Sequence, residues 1–283
     1  TFGATPLHLA AAQPSVSTAL STIQTIGTPQ AASMQDRLRR TPLHVAAQNV
    51  HATPELIDIL AQLYPMAASM KTQRGHLPLH LAAQSQAKEP VIKALIQAYP
   101  NATEARNKSS NTPLHDAAKY RASLGTVKAL LETYPDAIFI QNQYGNLPLH
   151  CATAYQASNE VIQLLLRAWP DGASMQNRNQ DAPLHYAAAY ASSVESIKSL
   201  IEAAPAAVLL LNSSGQSPID RARANMSNHT SLSSTDTIMN GGANAGASED
   251  NGVGGIANDI VEFLERKSDE WTANAAKDGW GAF

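Results

Sequence analysis

Thr41-Pro42-Leu43-His44 returns as Leu77-Pro78-Leu79-His80 and again as Thr112-Pro113-Leu114-His115, and the regularity of that return decides the fold. Outward from these three, the same tetrapeptide stands upstream at Thr5-Pro6-Leu7-His8 and downstream at Leu147-Pro148-Leu149-His150 and Ala182-Pro183-Leu184-His185. A weaker copy, Ser217-Pro218-Ile219-Asp220, comes last. The steps between the prolines are 36, 36, 35, 35, 35 and 35 residues. A second register keeps the same time: Pro65, Pro100, Pro135, Pro170 and Pro205 are each 35 apart, preceded by Tyr64, Tyr99, Tyr134, Trp169 and Ala204. Two independent registers with one period identify an internal repeat.

Each unit reads as two helices and an extended finger. Thr or Ser before Pro marks a helix start, because the hydroxyl can cap free backbone amides while proline's fixed φ and missing N–H suit the first helical position. The Pro-Leu-His-x-Ala-Ala helix is short and small-sided, which lets neighbouring helices approach closely. A second start falls at Ser123, Ser158 and Ser193, leading into apolar residues spaced as in Val161, Ile162, Leu164, Leu165 and Leu166. That helix is expected to end at the Tyr-Pro or Trp-Pro step, since proline disfavours helical geometry in the residue before it.

With six copies of the x-Pro-Leu-His tetrapeptide in phase, on the pattern Thr-Pro-Leu-His-x-Ala-Ala, an apolar second helix, and Asn or Asp six before the next proline, the chain resembles the ankyrin-repeat family over essentially its whole length. The resemblance implies an all-α solenoid of helix-turn-helix repeats with projecting β-hairpin fingers. The unit is longer than the usual 33 residues of that family, with extra residues between the helices and where Pro takes the place of the helix-ending glycine. Leu77, Leu147 and Ala182 replace the capping hydroxyl, an expected loss of about 1 kcal/mol each. The repeats are read as 5–40, 41–76, 77–111, 112–146, 147–181, 182–216 and 217–275, one array over residues 1–283.

The last repeat is expected to be split. Residues from Asn225 to Asn258 are rich in Asn, Ser, Thr and Gly, and read as a flexible insertion at about 226–256. Beyond it, Asn258-Asp259-Ile260-Val261-Glu262-Phe263-Leu264 aligns with Asn159-Glu160-Val161-Ile162-Gln163-Leu164-Leu165. Proline to acid is 12 residues from 148 to 160 and 41 from 218 to 259, so the insertion adds 29. The charged outer face of this last helix suits a terminal cap. At the other end the sequence opens partway through a finger, with Gly3 three before Pro6 as Gly75 and Gly145 stand before theirs, and reads as part of a longer protein.

Composition bounds the function. Hydrophobic residues are 44% of 283, enough for a large core, and aromatic residues only 5%, which suits closely packed short helices. A net charge of -3 gives no global pull toward nucleic acid or anionic membrane. The longest apolar run, Ala206 to Leu211, is far below the roughly 18 residues of a membrane span, so no insertion is expected. One cysteine, Cys151, fits a reducing compartment, cytoplasmic or nuclear.

No catalytic, cofactor or metal site emerges. Stacked helices sit about 8 to 10 Å apart, whereas two ligands of one metal lie about 2 Å from it, so equivalent motif histidines cannot share an ion. The resemblance implies that these imidazoles bond to the motif hydroxyl and adjoining backbone. Cys151 reads as a buried thiol, and the insertion's glycines lack the strand and lysine-serine of a phosphate loop.

Recognition residues are expected on two sets of positions that the family uses to line its groove: the fingers, with Arg37, Arg39, Arg40, Lys71, Arg74, Arg106, Lys108 and Tyr144, and the ends of the first helices, with Tyr120, Tyr155 and Tyr190. Fingers at 36–40, 71–76 and 104–111 carry net charges of +2, +2 and +1, and the next three sum to zero. The sequence therefore points to a protein-binding scaffold whose partner is a protein or peptide with an acidic segment; no small-molecule substrate is indicated. Two alternatives stay open: a targeting or regulatory arm of a larger enzyme, and weak polyanion or nucleic-acid binding through the basic fingers, which predicts steep salt dependence.

Overall fold

In the computed structural model, residues 3–190, 192–224 and 252–277 are described. The first helices of the repeats are α1 (Pro6–Ala11), α4 (Pro42–Gln48), α6 (Pro78–Gln84), α8 (Pro113–Lys119), α10 (Pro148–Ala154) and α12 (Pro183–Ala189), with α14 at 218–224. The second helices are α2 (Val16–Ile26), α5 (Pro54–Leu63), α7 (Glu89–Ala98), α9 (Leu124–Thr133), α11 (Asn159–Ala168) and α13 (Val194–Ala203). A short α3 (Pro29–Ser33) succeeds α2, and α15 (Gly252–Lys277) closes the described chain. No strand occurs among the described residues.

The chain divides into two compact units, residues 1–164 and 165–283. In the first, each first helix packs on its neighbours through small side chains: Ala46, Ala47, Ala82, Ala83, Ala117 and Ala118 are buried, so the helices meet without large side chains between them. The second helices bury one stripe each, Leu56, Ile57 and Leu60 in α5, then Val91, Ile92 and Leu95 in α7. In the second unit the equivalent stripe is Ile197, Leu200 and Ile201 of α13. Ser123 and Ser193 cap α9 and α13, accepting from Thr126 N–H at 3.3 Å and Ser196 N–H at 3.2 Å.

The Tyr-Pro step ends the second helices as the sequence predicts, with Tyr64 at φ -148° and ψ 87°. Beyond this step the chain is more regular than the sequence suggested. Proline starts a single 3₁₀ turn at Pro65–Ser69, Pro100–Thr103, Pro135–Phe139, Pro170–Ala173 and Pro205–Leu209. Small residues such as Ala67, Ala102, Ala137, Ala173 and Ala207 bury the inner side of these turns, so the chain turns toward its finger without opening a gap.

The expected insertion at 226–256 falls mostly on residues outside the described set. Helix α15 begins at Gly252, so residues 252–256, which composition assigned to that insertion, are helical. Glycine weakens an isolated helix, yet adding a turn to an existing one avoids the nucleation cost. Further along, Ile260 and Leu264 are buried, Phe263 lies by Lys198 of α13, and Glu265 pairs with Arg223 of α14.

Fingertips test the backbone. Gly3, Arg39, Gly75, Ser110, Gly145, Gln180 and Gly215, one per finger, all have positive φ between 59° and 78°. A Cβ at Gly75 would meet the Lys108 amide nitrogen at 2.9 Å, whereas one at Gly215 would meet nothing within 4 Å. Gly215→Ala should therefore cost only the left-handed strain, about 1 kcal/mol, and Gly75→Ala at least about 1 kcal/mol more. Equal losses in urea melts of the two variants would show that the close approach at Gly75 is readily relaxed.

Candidate interaction surface on the fingers

The fingers of the first unit are built by one device. Asp36 Oδ1 accepts from Leu38 N–H at 2.9 Å and Arg40 N–H at 2.8 Å. Asn107 Oδ1 does the same for Ser109 and Asn111, and Asn142 Oδ1 for Tyr144 and Asn146. Each finger is closed by a backbone pair, such as Thr72 N–H to His76 C=O at 2.9 Å, with the left-handed residue one step before the close. Neighbouring fingers are bonded to one another. Gln73 N–H donates to Leu38 C=O at 2.9 Å, Lys108 N–H to Arg74 C=O at 3.0 Å, and Gln143 N–H to Ser109 C=O at 3.1 Å.

Beneath them the motif histidines lock the first helices to the fingers ahead. His80 Nδ1 accepts from Leu77 N–H at 3.3 Å, which fixes the proton on Nε2; that nitrogen donates to Asn111 C=O at 3.1 Å. His8, His44, His115 and His185 share the same plan, ending on Arg40, Met70, Asn146 and Gln216 carbonyls. Burial, foremost, lowers the His44, His80 and His115 imidazoles to about 4, 3 and 4. Where the motif has Thr, its hydroxyl also meets Nδ1, at 2.8 Å for Thr5 and 2.9 Å for Thr41 and Thr112. Among the described residues no group of three His, Cys, Asp or Glu is placed to hold a metal. Burial, then the Asp116 charge, pushes the Cys151 thiol up to about 12, which leaves it a poor nucleophile.

On this frame Arg37, Arg39, Lys71, Arg74, Arg106 and Lys108 are all exposed, two to a finger. None of the six has a carboxylate within 4.0 Å among the described residues. Arg40 differs from them. Its Nε lies 2.8 Å from Asp36 Oδ2 and its Nη1 donates to Gln48 at 3.0 Å, so it holds the finger to α4. Burial alone would raise the Asp36 carboxyl, but the bonds from Arg40 and Leu38 and the Arg40 charge outweigh it and keep Asp36 below the usual range.

Tyr120, Tyr144 and Tyr155 are also in the first unit, 39%, 59% and 45% exposed. The Lys119 ammonium lies 5.4 Å from the Tyr120 ring centre and 5.1 Å from that of Tyr155, bridging two repeats by cation–π contact. Tyr190 belongs to the second unit, where its ring stacks on Tyr186 at 6.3 Å.

Several residues that position this surface are not marked by the sequence pattern. A recess of about 260 Å³ opens between the second and third fingers, with Leu38, Arg40, Gln48, Arg74, His76 and Gln84 among its lining. Under its floor the Gln84 amide donates to Asp116 Oδ2 at 3.0 Å and lies 3.2 Å from His76 Nε2. Asn111 donates to Asp116 Oδ1 at 3.1 Å. Burial pushes this carboxyl up to about 6. The only hint in sequence is an acid at the motif position where other repeats carry Leu9, Val45, Leu81, Cys151 and Tyr186.

Comparison with known proteins agrees with this geometry. A family model described as ankyrin repeats (3 copies) matches residues 52–139, 79–177 and 122–212. Among solved structures the chain is similar to the ankyrin repeat domain of Bcl-3, described as a unique member of the IkappaB protein family. The two share 26% identity at a TM-score of 0.58, over 78% of this chain and 95% of that one. Solved structures that match number 416 chains, so the fold alone selects no partner. No curated protein matches the sequence. Repeats of this kind are generally modules for binding other proteins, and no described helix is long and apolar enough to cross a membrane. With its period, its finger geometry and a family model over more than half its length in agreement, the chain belongs to the ankyrin-repeat family.

Proposed function

We propose that the protein is a binding scaffold that holds an acidic segment of a partner protein across the fingers of its first unit, with the tyrosines at the ends of α8 and α10 as apolar anchors. The observation that carries this reading is the set of six exposed cations on three successive fingers, none with a carboxylate within 4.0 Å among the described residues. Such a surface attracts anions at long range, and partly exposed aromatic rings beside it supply contacts of the kind that dominate interface energies. The proposed home is the cytoplasm or nucleus, and residues 217–275 act as a split seventh repeat capping the array.

Charge and anchoring should separate kinetically. Replacing Arg37, Arg39 and Arg74 together by Glu leaves the Asp36–Arg40 pair intact. It should slow association about tenfold at low salt and flatten its salt dependence, while Tyr155→Ala should mainly raise the dissociation rate. The partner is found by affinity capture on the intact array with mass spectrometry, using the triple-Glu variant as the control bait. Kinetics unchanged in both variants would remove the groove assignment. A nucleic acid retained in place of a protein would favour the polyanion reading.

A further inference from the structure

Taking the fingers as an acid-binding surface, their spacing says what form the bound segment takes. Arg37 and Arg39, Lys71 and Arg74, and Arg106 and Lys108 form three pairs, one per finger. The finger-to-finger bonds from Gln73 and Lys108 fix the distance between pairs. A finger is two chain widths across, and each rides on a helix stacked against the next, so the pitch is about 10 Å by either measure. Lys71 shows the reach along this direction, its Nζ donating to the Arg106 carbonyl of the next finger at 3.3 Å.

A partner chain running across the fingers must present its acids on one face at that pitch. A β-strand offers same-face residues at about 7 and 13 Å, and neither fits. Polyproline II has three residues per turn and rises about 3.1 Å per residue, so every third side chain faces one way at about 9 Å. An α-helix reaches about 10.5 Å in seven residues, but three contacts then need about 15 residues, the length at which an isolated helix is only marginally formed. Short acidic segments stay unfolded when free and already populate the polyproline II form, so binding in it costs little ordering. The recess beside Leu38, Leu81 and Arg74 lies between two of the pairs and has room for one intervening apolar side chain or proline ring.

We infer that the three basic fingers bind a partner segment in polyproline II conformation carrying an acidic side chain at every third residue, each acid held by the cation pair of one finger. The inference rests on the acid-binding reading above and adds spacing to it.

The test uses the intact chain and fluorescently labelled nine-residue peptides of one composition, three Glu among Pro and Ala. Their glutamates stand at every third position, at every second position, or in one block. A 15-residue alanine-rich peptide with glutamate every seventh residue, and an every-third peptide with Gln for Glu, complete the set. In anisotropy titrations at low salt, the every-third peptide should bind about tenfold tighter than its two isomers, and Arg74→Glu should remove most of that preference. Equal affinity among the three isomers, each salt-sensitive, would overturn the spacing while leaving the fingers as an acid-binding surface. Tighter binding of the helical peptide would overturn the conformation. Glutamate peptides that bind no better than the Gln peptide would overturn the acid-binding reading itself, as would displacement by a short single-stranded oligonucleotide that binds more tightly than every peptide.

Discussion

Between pH 7 and pH 5 the repeats of the first unit are expected to lose about 4 kcal/mol of stability, with about two protons taken up on unfolding at the lower pH. The loss comes from His44, His80 and His115, whose imidazoles are lowered to about 4, 3 and 4 by burial above all. An unfolded histidine titrates near 6.5, so in this window the unfolded chain binds protons that the folded chain refuses. Stability from these groups is whole above about 6.5 and is lost as pH falls toward the folded values. Asp116 works the other way. With its carboxyl pushed up to about 6 by burial, the folded state gains a proton near that pH while the unfolded state does not, which offsets roughly one of the three histidines. Urea melts followed by circular dichroism at pH 7, 6 and 5 measure the slope. An uptake below one proton at pH 5 would sink the account.

His80→Ala should cost about 3 kcal/mol, among the largest effects of any single substitution here, because it strands one buried N–H, removes one of two donors from a buried carbonyl and leaves a cavity. The Leu77 N–H loses its partner and the Asn111 C=O keeps only the Asn107 N–H, and both residues are less than a tenth exposed. Asp220 holds the same place in the seventh motif but is exposed and serves only Ser217 of its own repeat, so Asp220→Ala should cost about 1 kcal/mol, the scale of an ordinary cap. The variant carries a second signature. With His80 gone, proton uptake on unfolding at pH 5 should fall by about one. If His80→Ala proves no costlier than Asp220→Ala, the imidazole is filling space rather than joining the first helix of its repeat to the finger.

The periodicity of one tetrapeptide placed nearly every helix, because proline sets both where first helices start and where second helices stop. Its limits show at particular residues. Leu77, Leu147 and Ala182 read as lost caps in the sequence, yet their own N–H groups are taken by the histidine three residues on, at 3.3, 3.2 and 3.1 Å, so one half of the reciprocal cap survives without the hydroxyl. The 3₁₀ turns are hidden in sequence because a proline announces that a helix ends, whereas the shape of the next turn depends on what Ala67 and its counterparts pack against. On the fingers, counting charge finds the basic end but cannot separate Arg40 from Arg37 and Arg39, since all three lie within five residues of Asp36 and only the folded turn decides which one reaches it. Lys119 carries no sequence signal for a related reason. Its two rings belong to Tyr120 next to it and Tyr155 a full period away, a pairing that exists only once the repeats are stacked.

The forward reach of the motif histidines gives each repeat a direction of its own, a hook at its start that catches the finger at its end. His8, His44, His80, His115 and His185 each hold a carbonyl 26 to 32 residues ahead, so the start of each repeat is tied to the finger that ends it. A cut between two repeats therefore leaves each of these bonds whole. A cut inside a repeat, between its first helix and its finger, leaves the imidazole N–H without its acceptor. Asp220 breaks the sequence of hooks. Its carboxylate accepts from the N–H and hydroxyl of Ser217 beside it, so this link closes on itself. Whole interior units can therefore be copied or spliced in without breaking any of these bonds, because each unit brings both the hook and the carbonyl it catches.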